Sequence, residues 1–152
     1  SAMDKGKDRD HSLSTEWGDT IFYKQIPGYT YTRPWSSDDP KYELHTNEEL
    51  RVDQSLRKSC NMLVLQSDGN LVLYGENGTI ALWSSDTWNS GSNRLIMQSD
   101  GNLVLYNNEG AVWSSGTTGQ GANRLVVQDD GNLVLYTAQN VAIWATNTNY
   151  NC

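Results

Sequence analysis

The chain has 152 residues, a formal net charge of −7 and two cysteines, enough length for one domain with a real hydrophobic core. The acidic balance and the lack of any basic cluster argue against a nucleic-acid or anionic-membrane partner, since both are held mainly by Lys and Arg. No apolar run approaches the length of a membrane span, so membrane insertion is not expected.

Residues 1–14 read as a cloning remnant (Ser1-Ala2-Met3) and a linker. Asp4–Ser12 is charged and nearly free of apolar side chains, which predicts disorder. Residues 15–47 form an aromatic-rich extension carrying Trp17, Phe22, Tyr23, Tyr29, Tyr31, Trp35 and Tyr42. Its aromatic content predicts that it packs on the main body, with a short strand within Thr20–Lys24. Pro27, Pro34 and Pro40 argue against a long helix. Trp35-Ser36-Ser37 echoes a triplet found further on and is a weak trace of a fourth unit.

Residues 48–152 are organised by an internal repeat. Gln66–Tyr74 reads QSDGNLVLY, Gln98–Tyr106 repeats it letter for letter, and Gln128–Tyr136 reads QDDGNLVLY. Asn93-Arg94-Leu95 recurs as Asn123-Arg124-Leu125, and Trp83-Ser84-Ser85 as Trp113-Ser114-Ser115; Trp144-Ala145-Thr146 closes the third unit. Each unit is a short strand, a turn, NLVLY, a second turn, a strand bearing Trp, and a Gly/Ser/Asn-rich connection.

Asp-Gly between alternating apolar segments is a hairpin signal. It predicts a strand at Leu63–Gln66, a turn at Ser67-Asp68-Gly69 and a return strand at Asn70–Tyr74. Alternation then puts Leu71 and Leu73 on one face, and Asn70, Val72 and Tyr74 on the other. Leu63 and Leu65, Leu95 and Met97, and Leu125 and Val127 extend the apolar face. Three such sheets can bury these faces against one another, with Trp83, Trp113 and Trp144 filling the axis. The prediction is an all-β, three-sided prism with polar faces outward; no 3.6-residue apolar period supports a helical fold.

A fold needs the apolar rhythm of the repeated string, but it does not obviously need the same Gln, Asp, Asn and Tyr three times. Turn Asp and Asn have backbone reasons to be there, which leaves Gln and Val unexplained while the connections between copies have diverged. Asp accepts hydrogen bonds, Asn and Gln donate and accept, and Tyr offers a hydroxyl. That set matches adjacent hydroxyls, and Val offers a small surface to the C–H edge of a sugar ring. No nucleophile–base pair, repeated metal-ligand set or phosphate loop appears, so neither an enzyme nor a cofactor is expected. Asp129–Asn132 (DDGN) lacks the further carboxylates of a calcium loop.

Gln-x-Asp-x-Asn-x-Val-x-Tyr resembles the mannose-binding signature of the bulb-type lectins, the snowdrop agglutinin-like family of monocots with the β-prism II fold. The resemblance covers about residues 48–152 and implies three antiparallel sheets in pseudo-threefold arrangement. It implies three carbohydrate sites: Gln66, Asp68, Asn70, Val72 and Tyr74; Gln98, Asp100, Asn102, Val104 and Tyr106; and Gln128, Asp130, Asn132, Val134 and Tyr136. By that analogy Asp and Asn hold the axial O2 of mannose, Gln reaches O3, Tyr reaches O4, and Val packs on the ring. Partners would be mannose-containing glycans or glycoproteins, and many relatives form homodimers by exchanging a C-terminal strand. Many relatives also place a bridged Cys where Gly69 stands here, so their usual disulfide is not inherited.

Cys60 and Cys152 flank the repeats instead. Paired, they would close a long loop worth roughly 4–5 kcal/mol in the chain-entropy model; two free thiols are the alternative. Asn77-Gly78-Thr79 is a glycosylation sequon that matters only in a secreted chain, and an extracellular protein is the expectation. Trp88 has no aromatic counterpart at Thr118 and either stacks on a second sugar or packs on its own sheet. Two rival readings stand beside mannose binding: a bacteriocin- or toxin-like targeting module for another glycan, and a structural interaction domain with silent sugar sites.

Overall fold

The computed structural model describes residues 41–150 and, ahead of them, the backbone of two short strands. These are β1 (Thr20–Phe22), within the segment expected to form a strand, and β2 (Thr30–Thr32), paired antiparallel with Thr20 opposite Thr32. The expected disorder of Asp4–Ser12, the packing of the aromatic extension, the Trp35 echo and Cys152 lie outside the described residues.

From Glu43 onward the chain builds three four-stranded antiparallel sheets. The first contains β5 (Ser55–Lys58), β6 (Asn61–Leu65), β7 (Leu71–Gly75) and β8 (Ile80–Ser84) in that order. The second contains β4 (Glu49–Arg51), β9 (Arg94–Met97), β10 (Leu103–Asn107) and β11 (Gly110–Ser114). The third contains β3 (Glu43–His45), β12 (Ala122–Val127), β13 (Leu133–Thr137) and β14 (Ala142–Ala145). This is the β-prism II architecture. A single-turn 3-10 helix at Glu76–Gly78 links β7 to β8.

Three strands of each sheet come from one repeat, and the fourth from a ribbon that precedes the repeats. Residues 43–58 run ELHTNE, ELRVDQ, SLRK, a six-residue period that hands one short strand to the third, the second and the first sheet in turn. Leu44 lies opposite Leu125, Leu50 opposite Leu95, and Leu56 opposite Leu63, and all three leucines are buried. Between strands the chain turns with Asn47, Asp53 and Ser59 at φ near +60° (68°, 67° and 54°), a region that Asn and Asp tolerate better than most residues. Glu48 and Gln54 fasten the first two turns by accepting the His45 and Arg51 N–H groups at 2.8 Å each.

The core is the set predicted from alternation. Leu63, Leu65, Leu71, Leu73, Leu95, Met97, Leu103, Leu105, Leu125, Val127, Leu133 and Leu135 are all fully buried, each contributing on the order of 2 kcal/mol by leaving water. Trp83, Trp113 and Trp144 form a triangle about the pseudo-threefold axis, with ring centroids 5.5, 5.9 and 5.8 Å apart in edge-to-face contact, an arrangement their quadrupoles favour. They stand opposite Leu73, Leu105 and Leu135, and in every sheet the register slips immediately after that leucine, before Tyr74, Tyr106 and Tyr136. Such a bulge re-aims the side chain beside it.

Candidate functional site

Each repeat carries a tight loop between its first two strands, on the outer rim of its sheet. The return strand begins at Leu71, one residue later than Asp-Gly chemistry suggests, because Asn70 belongs to the loop. Gln66 N–H donates to the Asn70 carbonyl and Gly69 N–H to the Gln66 carbonyl, both at 2.9 Å. The Asp68 carboxylate sits across the opening and accepts the Asn70 N–H at 2.8 Å and Gln66 Nε2 at 2.9 Å.

The other copies repeat this frame. Asp100 accepts the Asn102 N–H at 2.9 Å and Gln98 Nε2 at 3.1 Å. Asp130 accepts the Asn132 N–H at 2.9 Å and Gln128 Nε2 at 3.2 Å. In each copy the Tyr hydroxyl (Tyr74, Tyr106 or Tyr136) donates to Oε1 of the Gln eight residues before it.

The Asn side chain is anchored from below by residues that the motif does not contain. Asn70 Oδ1 accepts the Thr87 N–H at 3.1 Å and Ser85 Oγ at 3.3 Å. Asn102 Oδ1 accepts the Thr117 N–H and Ser115 Oγ, both at 3.1 Å. Asn132 Oδ1 accepts the Asn147 N–H at 2.9 Å and Thr146 Oγ1 at 3.1 Å. The hydroxyls of Thr87, Thr117 and Thr148 then donate to the carbonyls of Gly69, Gly101 and Gly131 at 2.7, 2.6 and 2.8 Å. A signal for this support was present as Trp-x-Ser/Thr-x-Thr at residues 83–87, 113–117 and 144–148. The glycines are required where they stand. Gly69, Gly101 and Gly131 have φ of 90°, 91° and 88°, and a Cβ on Gly131 would lie 2.7 Å from the Tyr150 nitrogen.

These bonds give the backbone reasons expected for the turn Asp and Asn: their acceptor oxygens tie the loop to its own backbone and to the following loop. What remains for a ligand is narrower. Each cluster presents a carboxylate edge, the Asn Nδ2 donors, the second hydrogen of Gln Nε2, and a Tyr oxygen made a better acceptor by donating to Gln. Vicinal hydroxyls, each donating once and accepting twice, complement this set. Val104 and Val134 are 3% and 2% exposed, so they form the floor of the cluster rather than a projecting contact.

The three clusters share hydrogen bonds but not surroundings. In the second and third, Asp100 and Asp130 are exposed, and Gln98, Asn102, Tyr106, Gln128, Asn132 and Tyr136 are half-buried. Arg94 covers the Tyr106 ring at 5.1 Å and Arg124 the Tyr136 ring at 5.0 Å, a cation–π contact that holds each ring in place; Arg124 also donates to the Thr137 carbonyl at 2.8 Å. In the first cluster Met62 takes that place opposite Tyr74, and Gln66, Asn70, Val72 and Tyr74 are all buried. The electrostatics follow. Burial pushes the Asp68 carboxyl above its ordinary pKa against the pull of its hydrogen bonds. Asp100, fully in solvent, is held below its ordinary value by the Asn102 N–H and the Gln98 side chain. Trp88, in the loop beside the first cluster, keeps 44% of its surface exposed. Cys60 is engaged in a disulfide rather than free. Among the described residues, no three His, Cys, Asp or Glu side chains are grouped to hold a metal ion.

No protein-family model and no curated protein sequence matches the chain, whereas solved structures do. A monomeric monocot mannose-binding lectin from Gastrodia elata is similar at 40% identity and a TM-score of 0.67, over 72% of this chain and 100% of that one. The Marasmius oreades lectin is similar at 33% identity and a TM-score of 0.65, over 71% of this chain and 92% of that one. The mannose-specific agglutinin of snowdrop bulbs (Galanthus nivalis), solved with methyl α-D-mannoside, is similar at 33% identity and a TM-score of 0.58, over 73% of this chain and 100% of that one. With three sheets, three polar clusters and such identity over the whole of two of these proteins, the chain belongs to the bulb-type, monocot mannose-binding lectin family.

Proposed function

We propose that this protein binds terminal α-mannose on glycans without catalysis and without a metal ion, through its hairpin clusters. The observation that carries this reading is the pair of open, internally braced clusters at Asp100–Asn102 and Asp130–Asn132. Their unused donors and acceptors fit a vicinal diol, and they lie on the scaffold shared with lectins solved on mannose ligands. Gln98 and Gln128, with Tyr106 and Tyr136, extend each cluster along the sugar, and Val104 and Val134 lie beneath it.

Four or five net hydrogen bonds, less the ordering cost, leave roughly 4 kcal/mol, a dissociation constant on the order of millimolar for one sugar. Engagement of two clusters by one branched glycan raises that by about 10²–10⁴. Calorimetry with methyl α-mannoside in chelator-treated buffer tests the reading: weak binding unchanged by chelator is expected, and a flat titration at tens of millimolar sugar overturns it.

The disulfide at Cys60 supports an oxidising, extracellular setting. A homodimer is the assembly that the family resemblance implies. Sedimentation velocity reads that directly.

A further inference from the structure

The loop after each Trp-bearing strand is pinned to its cluster at two points. Thr87, Thr117 and Thr148 donate their hydroxyls to the glycine carbonyls of the tight loop. Two residues later the N–H groups of Asn89, Gly119 and Tyr150 donate to the carbonyls of Asp68, Asp100 and Asp130 at 2.5, 2.9 and 2.7 Å. The residue between these anchors is thereby held at the rim of its cluster. That position carries Trp88, Thr118 and Asn149, all three exposed. The rim thus differs in chemistry from copy to copy, whereas Gln, Asp, Asn, Val and Tyr of the motif do not.

In the third copy the rim side chain enters the cluster. Asn149 Nδ2 donates to Asp130 Oδ2 at 3.2 Å, and that oxygen also accepts Gln128 Nε2 at 3.2 Å. Asp130 Oδ1 accepts the Asn132 N–H at 2.9 Å and Gln128 Nε2 at 3.2 Å. A carboxylate offers about four acceptor positions, two on each oxygen, so Asp130 is fully engaged. Asp100 makes the same bonds to its own Asn and Gln, but its rim residue is Thr118, whose hydroxyl ends one bond nearer the backbone than an Asn amide. One acceptor position on Asp100 Oδ2 therefore stays open to the outside. We propose that Asn149 competes with a sugar hydroxyl for the Asp130 carboxylate, which makes the third site the weaker of the two open sites and the rim residue the one that ranks them. This deepens the mannose reading above and rests on it. A sugar hydroxyl reaching Asp130 must first displace the carboxamide, whereas at Asp100 it meets a position that no rim side chain holds.

The third loop also has Asp129 where the second has Ser99, so the test exchanges the rim residue alone. Methyl α-mannoside titrated into the full chain, and followed by NMR at the side-chain amides of Gln98 and Gln128, should bind the second site about two- to tenfold more tightly than the third, one net hydrogen bond's worth. Asn149→Thr should strengthen the third site by that factor and Thr118→Asn should weaken the second. Each variant places at one site a residue that the fold already carries at the other. Equal affinities, a tighter third site, or a third site unchanged by Asn149→Thr overturns the proposal and leaves the mannose reading in place. A flat response at both sites removes the mannose reading and this ranking with it. Without sugar, side-chain amide relaxation should show Asn149 as restrained as Gln128; a freely rotating Asn149 carboxamide also overturns the competition.

Discussion

The first and second hairpin clusters are built from the same letters, QSDGNLVLY, and close with the same hydrogen bonds, yet one is buried and the other faces water. One difference lies one strand away, where Met62 stands opposite Tyr74 and Arg94 opposite Tyr106. An arginine over a tyrosine ring can shed its stem's apolar surface onto the ring and keep its charge hydrated; a methionine leaves an apolar face that is more stable when covered. A binding motif therefore specifies the internal hydrogen bonds of a site, and residues outside the motif determine how much of it meets solvent.

The contrast is broken most directly by Asn102→Asp/Asn132→Asp. The exchange keeps the Oδ1 acceptor that anchors the following loop, replaces the outward Nδ2 donors with a carboxylate oxygen, and adds a negative charge beside Asp100 or Asp130. Each site should lose at least about tenfold in affinity for methyl α-mannoside, one hydrogen bond's worth, whereas Asn70→Asp should leave sugar binding unchanged; calorimetry reads all three. Next in size is Thr117→Val, which strands the buried Gly101 carbonyl. It should cost about 1–3 kcal/mol in urea denaturation and weaken the second site but not the third.

Met62→Arg sharpens the comparison from the other side. Placing a charge among the buried side chains of that face should lower stability by about 1–3 kcal/mol, while Arg94→Met on the second sheet should stay within about 0.5 kcal/mol.

The smallest effect is on proton binding. The Asp68 pKa is raised by burial, so its protonated form is favoured in the folded chain. Its contribution to stability is full below the unfolded pKa and is lost as pH rises through the folded value. The Asp100 pKa is lowered by the Asn102 N–H and Gln98, so its contribution is present above the unfolded pKa and is lost as pH falls through the folded value. Carboxyl carbon shifts followed by NMR should therefore show Asp68 protonating at the higher pH of the two; coincident titrations would mean that the two clusters share one environment.

Much of the fold was legible in the chain. Alternation in Leu63–Leu65 and Leu71–Leu73 marked the inner face, and three tryptophans at equivalent places marked the axis. The ribbon that completes the sheets was not read, although Leu44, Leu50 and Leu56 recur every six residues. Strands of three or four residues leave too short an alternation to stand out, and their pairing with β12, β9 and β6 is non-local. The tight loop was placed one residue off because Asp-Gly indicates a turn but not which donor its carboxylate will take. Ser85, Ser115 and Thr146, with Thr87, Thr117 and Thr148, went unassigned as supports because their partners lie thirteen to eighteen residues back in the chain.

The linear chain thus settled what local periodicity can carry: three units, an apolar face with a polar one behind it, and one polyol-matching set per unit. Tertiary structure settled which halves of those polar groups are spent on the backbone and which remain for a ligand. It also settled that one of three equal motifs is buried and the other two partly exposed. Side-chain direction follows from a two-residue repeat along a strand, whereas solvent access depends on the packing around the whole sheet, and no repeat within the motif encodes that.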